Sequence, residues 1–129
     1  MSEKSFAESL RNSVTSKEEL KRKEAEQKEK EAQRIQTIID KEVEDLLRGI
    51  KQSAYVAATE HGKTSLKYRE KYQSPWVWKV NDKKKEKAIV NEISKKIKPR
   101  LVNEGFKSVF VSSARLEEFH YEIEVFIRW

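Results

Sequence analysis

IQTIIDKEVEDLLRGIKQSAYVAATEH, residues 35 to 61, places apolar side chains at Ile35, Ile39, Val43, Leu46, Ile50, Ala54 and Ala57. Steps of three and four draw a single stripe along an α-helix. His61-Gly62 closes it, since glycine accepts the left-handed turn after a helix and histidine suits the negative end of the helix dipole. Ile38 and Leu47 widen the stripe beyond a coiled-coil seam, and fewer than three clean heptads can be written. Two readings stay open: packing on a sheet of the same chain, or helix-mediated assembly through Ile35, Ile39, Val43, Leu46 and Ile50. Gly49 costs about 1 kcal/mol inside a helix, so its presence suggests a close helix or ring contact.

Upstream, residues 17–34 are nearly all Lys, Glu, Arg, Gln and Ala. Glu18/Arg22, Glu19/Lys23, Glu24/Lys28 and Glu26/Lys30 have the favourable acid-before-base spacing, each worth about 0.2–0.5 kcal/mol in an isolated helix. This segment reads as a solvated helical arm. Ser16-Lys17-Glu18-Glu19 has the form of a capping box, which predicts that the long helix starts at Ser16. Phe6, Leu10 and Val14 then form a separate anchor in residues 1–15, or a frayed tail.

Downstream of Gly62, Thr64 to Arg69 alternates as a strand with Thr64, Leu66 and Tyr68 inward. Gln73-Ser74-Pro75 is a turn, and Trp76 to Val80 is a further strand or an ordered loop. Asn81 or Asp82 caps a second helix with the stripe Ile89, Ile93, Ile97, Leu101, and Pro99 predicts a kink near Lys98 or a restart. Asn103-Glu104-Gly105-Phe106 is a glycine-closed helix end. Strands follow at Phe106 to Ser112 and at Phe119 to Trp129, the latter with Tyr121, Ile123, Val125, Ile127 and Trp129 on one face. The fold class is α+β: a long N-terminal helix (16–61) and a small two-layer domain (62–129) in strand-helix-strand-strand order, with a fourth strand open at 76–80.

Residues 50–129 resemble a pattern found in small proteins of bacteriophages and large DNA viruses. The resemblance is carried by Gly62-Lys63-Thr64-Ser65-Leu66-Lys67-Tyr68, Asn103-Glu104-Gly105-Phe106 and Ile127-Arg128-Trp129. It implies a phage-type accessory or virion component and carries over no catalytic residue.

Charge sharpens the functional reading. The 129 residues carry net +6, yet residues 63–105 hold 13 basic and 5 acidic side chains, and every other segment lies near balance. Lys63, Lys67, Arg69, Lys71, Lys79, Lys83, Lys84, Lys85 and Lys87 are candidates for contact with nucleic acid or an acidic protein surface. Tyr72, Trp76 and Trp78, interleaved with them, are candidates for aromatic contact or for the core. Lys83–Lys85 crowd the first turn of a helix, where the dipole already favours anions.

Catalysis finds little support. No phosphate-cradling, metalloprotease or nucleophile-elbow motif is present, and cysteine is absent. His120, Glu122 and Glu124 with Glu117 and Glu118 could bind a metal, but a solvated strand face gives the same residues. His61 reads as a helix-end residue. We therefore expect no enzyme, metal, cofactor or small-molecule substrate. The expected partners are other protein subunits, including further copies of the chain, and nucleic acid. The alternatives are a soluble nucleic-acid-binding module or a phage-encoded inhibitor of a host defence complex. With no spanning or signal segment in the sequence, the expected location is the host cytoplasm or a virion, away from membranes.

Overall fold

The computed structural model describes residues 5–73, 78–80, 82–117 and 120–129, the side chain of residue 117 excepted. The expected turn at Ser74-Pro75, Trp76, the cap at Asn81, Glu118 and the strand start at Phe119 lie outside them.

The chain folds as α+β. Helix α1 (Phe6–His61) is followed by β1 (Ser65–Gln73), α2 (Lys83–Asn103), β2 (Ser108–Glu117) and β3 (His120–Arg128). Two compact units emerge, residues 1–36 and residues 37–129, so α1 contributes to both. No helix among the described residues is long and apolar enough to cross a membrane.

α1 begins earlier than its Ser16 capping signal predicts. Ser5 is the cap: the Glu8 backbone N–H donates to Ser5 Oγ at 3.2 Å, and Ser9 N–H donates to the Ser5 carbonyl at 3.1 Å. The polar residues expected to break the helix are absorbed by it. Ser13 Oγ and Thr15 Oγ1 each donate at 3.0 Å to the carbonyl one turn back, at Ser9 and Arg11. Residues 1–15 are therefore not a separate anchor in the described part, because helix runs without interruption from Phe6. None of the four expected Glu-before-base pairs closes to ion-pair distance among the described residues. Arg34 and Glu31 do so at 2.7 Å. Exposed charges lose little by keeping their water.

The second unit has two layers. β3 lies between β1 and β2 and pairs antiparallel with both, giving the order β1-β3-β2. β1 and β2 consequently run parallel to each other, and α2 supplies the long crossover that parallel strands require. Tyr121, Ile123, Val125 and Ile127 on β3 are buried, while Glu122 and Glu124 on its other face are half-buried and Phe126 and Arg128 exposed. Thr64 is exposed and precedes the first strand; the inward set on β1 is Leu66, Tyr68, Glu70 and Tyr72. Residues 78–80 are not strand: Trp78 and Val80 are buried loop residues, and among the described residues the sheet has three strands.

Both helices cover the inward face. From α1, Ile39, Val43, Leu46, Leu47, Ile50, Ala54 and Ala57 are buried, and from α2 Ile89, Val90, Ile93, Ile97 and Leu101. Fully burying such a side chain stabilises by about 1.5–3 kcal/mol. The open question about the α1 stripe is thereby answered for Ile39, Val43, Leu46 and Ile50. The chain's own core takes them, and they are not surface for assembly. Ile35 is half-buried and belongs to the first unit.

α2 is capped by Asp82, whose Oδ1 accepts from Lys84 N–H at 2.9 Å. It continues through Pro99 to Asn103 without a restart, because only the bond to the Lys95 carbonyl is forfeited. Gly62 and Gly105, at φ +61° and +92°, end the two helices as expected. Along the α1–α2 seam Asp40 pairs with Lys96 at 3.4 Å, Glu44 with Arg100, and Lys51 with Glu104 at 3.3 Å. Such exposed pairs contribute about 0–1 kcal/mol each and chiefly fix register.

Gly49 is explained by a ring contact. A Cβ there would sit 2.5 Å from the Tyr68 hydroxyl oxygen, which donates to Glu70 Oε2 at 3.0 Å. Gly49→Ala gains up to about 1 kcal/mol of helix propensity but displaces that hydroxyl, at an overpacking cost of about 1–3 kcal/mol. The expected outcome is a net loss of stability in urea unfolding that shrinks or reverses in a Tyr68→Phe background. Equal effects in both backgrounds would rule the contact out as the reason for glycine.

Candidate anion-binding face

The nine basic residues singled out in the sequence do not share one surface. Lys67, Arg69 and Lys71 alternate on the outer face of β1, away from the helices. There β3 sets carboxylates against them. Arg69 Nε lies 3.0 Å from Glu124 and 3.7 Å from Glu122, and Lys67 Nζ lies 3.4 Å from Glu124. Lys71 stands opposite Glu122 in register. The outer sheet face is thus a ladder of compensated charge, and Glu122 and Glu124 are engaged in it. Lys63 is exposed in the turn between α1 and β1.

The other cluster sits on the helical layer. Lys83, Lys84, Lys85 and Lys87 are all exposed on the first turns of α2, and Lys79, also exposed, precedes them with φ 53°. Lys83, Lys84 and Lys87 line a cleft of about 270 Å³ between α2 and β2. Arg115 of β2 closes its other side, with Ser113 and Ala114, and Val90 of α2 lines it beside the lysines. Arg115 was missed by the sequence reading. Only the pairing of β2 with β3, which puts Arg115 beside Tyr121, brings it here. Lys84, Lys87 and Arg115 make no ion pair among the described residues.

Beneath the lysines lies Glu86, fully buried, its Oε2 accepting a 3.3 Å hydrogen bond from the Tyr121 hydroxyl. Among the described residues no hydrogen-bond partner reaches its Oε1. Burial first, then the Glu86 charge, raises the Tyr121 pKa, so this hydroxyl stays protonated as a donor.

The aromatic candidates part from the lysines. Tyr72 and Trp78 are 5% and 1% exposed and pack on one another with ring centroids 5.4 Å apart. They are core, as aromatic side chains of this size usually are, and cannot stack on bases. Trp76 lies outside the described residues. Near them Glu42 of α1 is held above its ordinary pKa, chiefly by burial, with the neighbouring Trp78 indole opposing the rise. Asp45 and Glu70 add like-charge repulsion.

His120 is half-buried and His61 exposed at the helix end. No group of three or more histidine, cysteine, aspartate or glutamate side chains among the described residues is placed to hold a metal ion. Comparison with protein-family models, curated proteins and solved structures finds no match for this chain.

Two measurements probe this face. Replacing Lys84 and Lys85 together by glutamine removes two cations from the positive end of the α2 dipole. We expect the isolated protein to gain about 0.5–1 kcal/mol at low salt, with the gain vanishing in 1 M salt. A lowered Tm would mean that these ammonium groups make stabilising contacts. For Glu42 the folded pKa lies above the unfolded one, so its contribution to stability is full below pH 4.5 and is lost as pH rises through the folded value. Glu42→Gln should therefore raise Tm at neutral pH and lessen the relative gain of the wild type on acidification. A parallel shift at all pH values would contradict this.

Proposed function

We propose that this chain is a non-catalytic interaction protein, an accessory or structural component of the phage type that its C-terminal motifs resemble. Its N-terminal helix engages other protein subunits, and its basic domain faces an anionic partner. One observation carries the reading: every residue from Ser5 to Lys30 is exposed, so a continuous helical segment has no core of its own. Phe6, Leu10, Val14 and Leu20 are 80%, 52%, 57% and 59% exposed. At about 100° per residue they fall within a sector of about 120°, an amphipathic face fit to pack against another helix. This role belongs to these four residues, since the stripe beyond Ile38 is spent on the core.

A second copy of the chain is the simplest candidate for the protein partner. Sedimentation of the full-length protein should show self-association, and Leu10→Gln with Val14→Gln should abolish it while leaving the thermal unfolding of the second unit unchanged. A wild-type monomer at all concentrations would exclude self-assembly through this face.

The reading of the basic domain as nucleic-acid-facing is favoured by the cations around the α2–β2 cleft. For a single strand the binding constant falls by about 0.7 log units per phosphate contact for each log unit of salt. Four contacts would give a slope near −3, and the absence of binding at low salt would leave an acidic protein surface as the partner.

A further inference from the structure

We propose that the cleft between the start of α2 and β2 is a phosphate site, built to take the terminal phosphomonoester of a nucleic-acid strand. This rests on the reading of the basic domain as nucleic-acid-facing and specifies which group it grips. Three ammonium groups, from Lys83, Lys84 and Lys87, and the Arg115 guanidinium surround one recess contributed by two elements. Arg115 joins the lysines from a different element, and Lys84, Lys87 and Arg115 make no ion pair among the described residues.

The recess, about 270 Å³, lies at the small end of ligand clefts and suits a compact head group, with the rest of a strand left outside it. Among compact anions, a phosphomonoester carries about −1.5 to −2 at neutral pH and presents three acceptor oxygens. A protein carboxylate or an internal phosphodiester brings a single charge. Arg115 offers the planar fork suited to two of those oxygens, and the lysines act as point charges around the third. The Ser113 hydroxyl on the β2 wall adds a neutral donor.

Lys85, exposed on the same turn of α2 but not among the cleft-lining residues, extends the positive charge past the recess. The following phosphate of a strand can use it, whereas a small free anion cannot. Tyr121, with its hydroxyl committed to Glu86, forms the floor.

The test uses the full chain and fluorescence anisotropy with a short single-stranded oligonucleotide bearing either a 5′-phosphate or a 5′-hydroxyl. The phosphorylated strand should bind about tenfold tighter or more, as expected for hydrogen bonds to a charged group. Lys87→Gln with Arg115→Gln should erase that difference, weakening the 5′-phosphate strand about tenfold more than it weakens the 5′-hydroxyl strand. Thermal unfolding of the variant checks that it folds, and 31P line broadening of inorganic phosphate by the wild type gives a readout that needs no variant. Equal affinity for the two strands would overturn the terminal-phosphate site and leave the nucleic-acid reading standing. Competition by inorganic phosphate without a gain from the strand's own phosphate would assign the cleft to a free anion, against the proposal. No binding of either strand at low salt would remove both readings.

Discussion

Everything in the second unit depends on covering one face of β3. Tyr121, Ile123, Val125 and Ile127 alternate along a central strand, and a strand hydrogen-bonded on both sides can be shielded only from above. The stripe of α1 beyond Ile38 and the Ile89–Leu101 stripe of α2 do this together. Gly49 belongs to the same constraint, since it is where α1 meets a tyrosine ring with no room for a methyl group. With α2 required as the crossover between parallel β1 and β2, its first turn comes to lie beside β2. The cleft is a consequence of the core.

The charges then sort by whether the fold supplies a counter-charge. Lys67 and Arg69 lie over β3 carboxylates because antiparallel pairing sets Lys67 opposite Phe126 and Arg69 opposite Glu124. Lys96 and Arg100 meet α1 acids across the helix seam. Lys84 and Lys85 have no such partner among the described residues and sit where the helix dipole opposes them. A cation held in that position lowers the stability of the isolated protein and raises its affinity for an anion. This asymmetry distinguishes the α2 cluster from the rest of a lysine-rich surface.

The first unit obeys different physics. Its stretch from Ser5 to Lys30, exposed throughout, is held by propensity, by its Ser5 cap and by side-chain hydroxyls returned to the backbone. What remains exposed is a short apolar face at Phe6, Leu10, Val14 and Leu20, and the proposed contact with another subunit rests on it.

The sequence by itself determined the class of the fold, the strand-helix-strand-strand order and the inward faces of the two helices and of β3. Each rests on a local period of 3.6 or 2 that no distant residue can change. The helix ends at Gly62 and Gly105 were legible for the same reason, as a positive φ is a demand of the backbone itself. The start of α1 was not legible. Ser5-x-x-Glu8 and Ser16-x-x-Glu19 are equivalent signals, and the cap that forms is decided by whether helix already runs upstream. Tertiary structure alone decided which lysines keep an uncompensated charge, that Tyr72 and Trp78 are core, and that Arg115 joins Lys87 across 28 residues of chain. These depend on strand order and register, and a run of basic residues reads the same whether the carboxylates that neutralise it lie 55 positions away or nowhere in the chain.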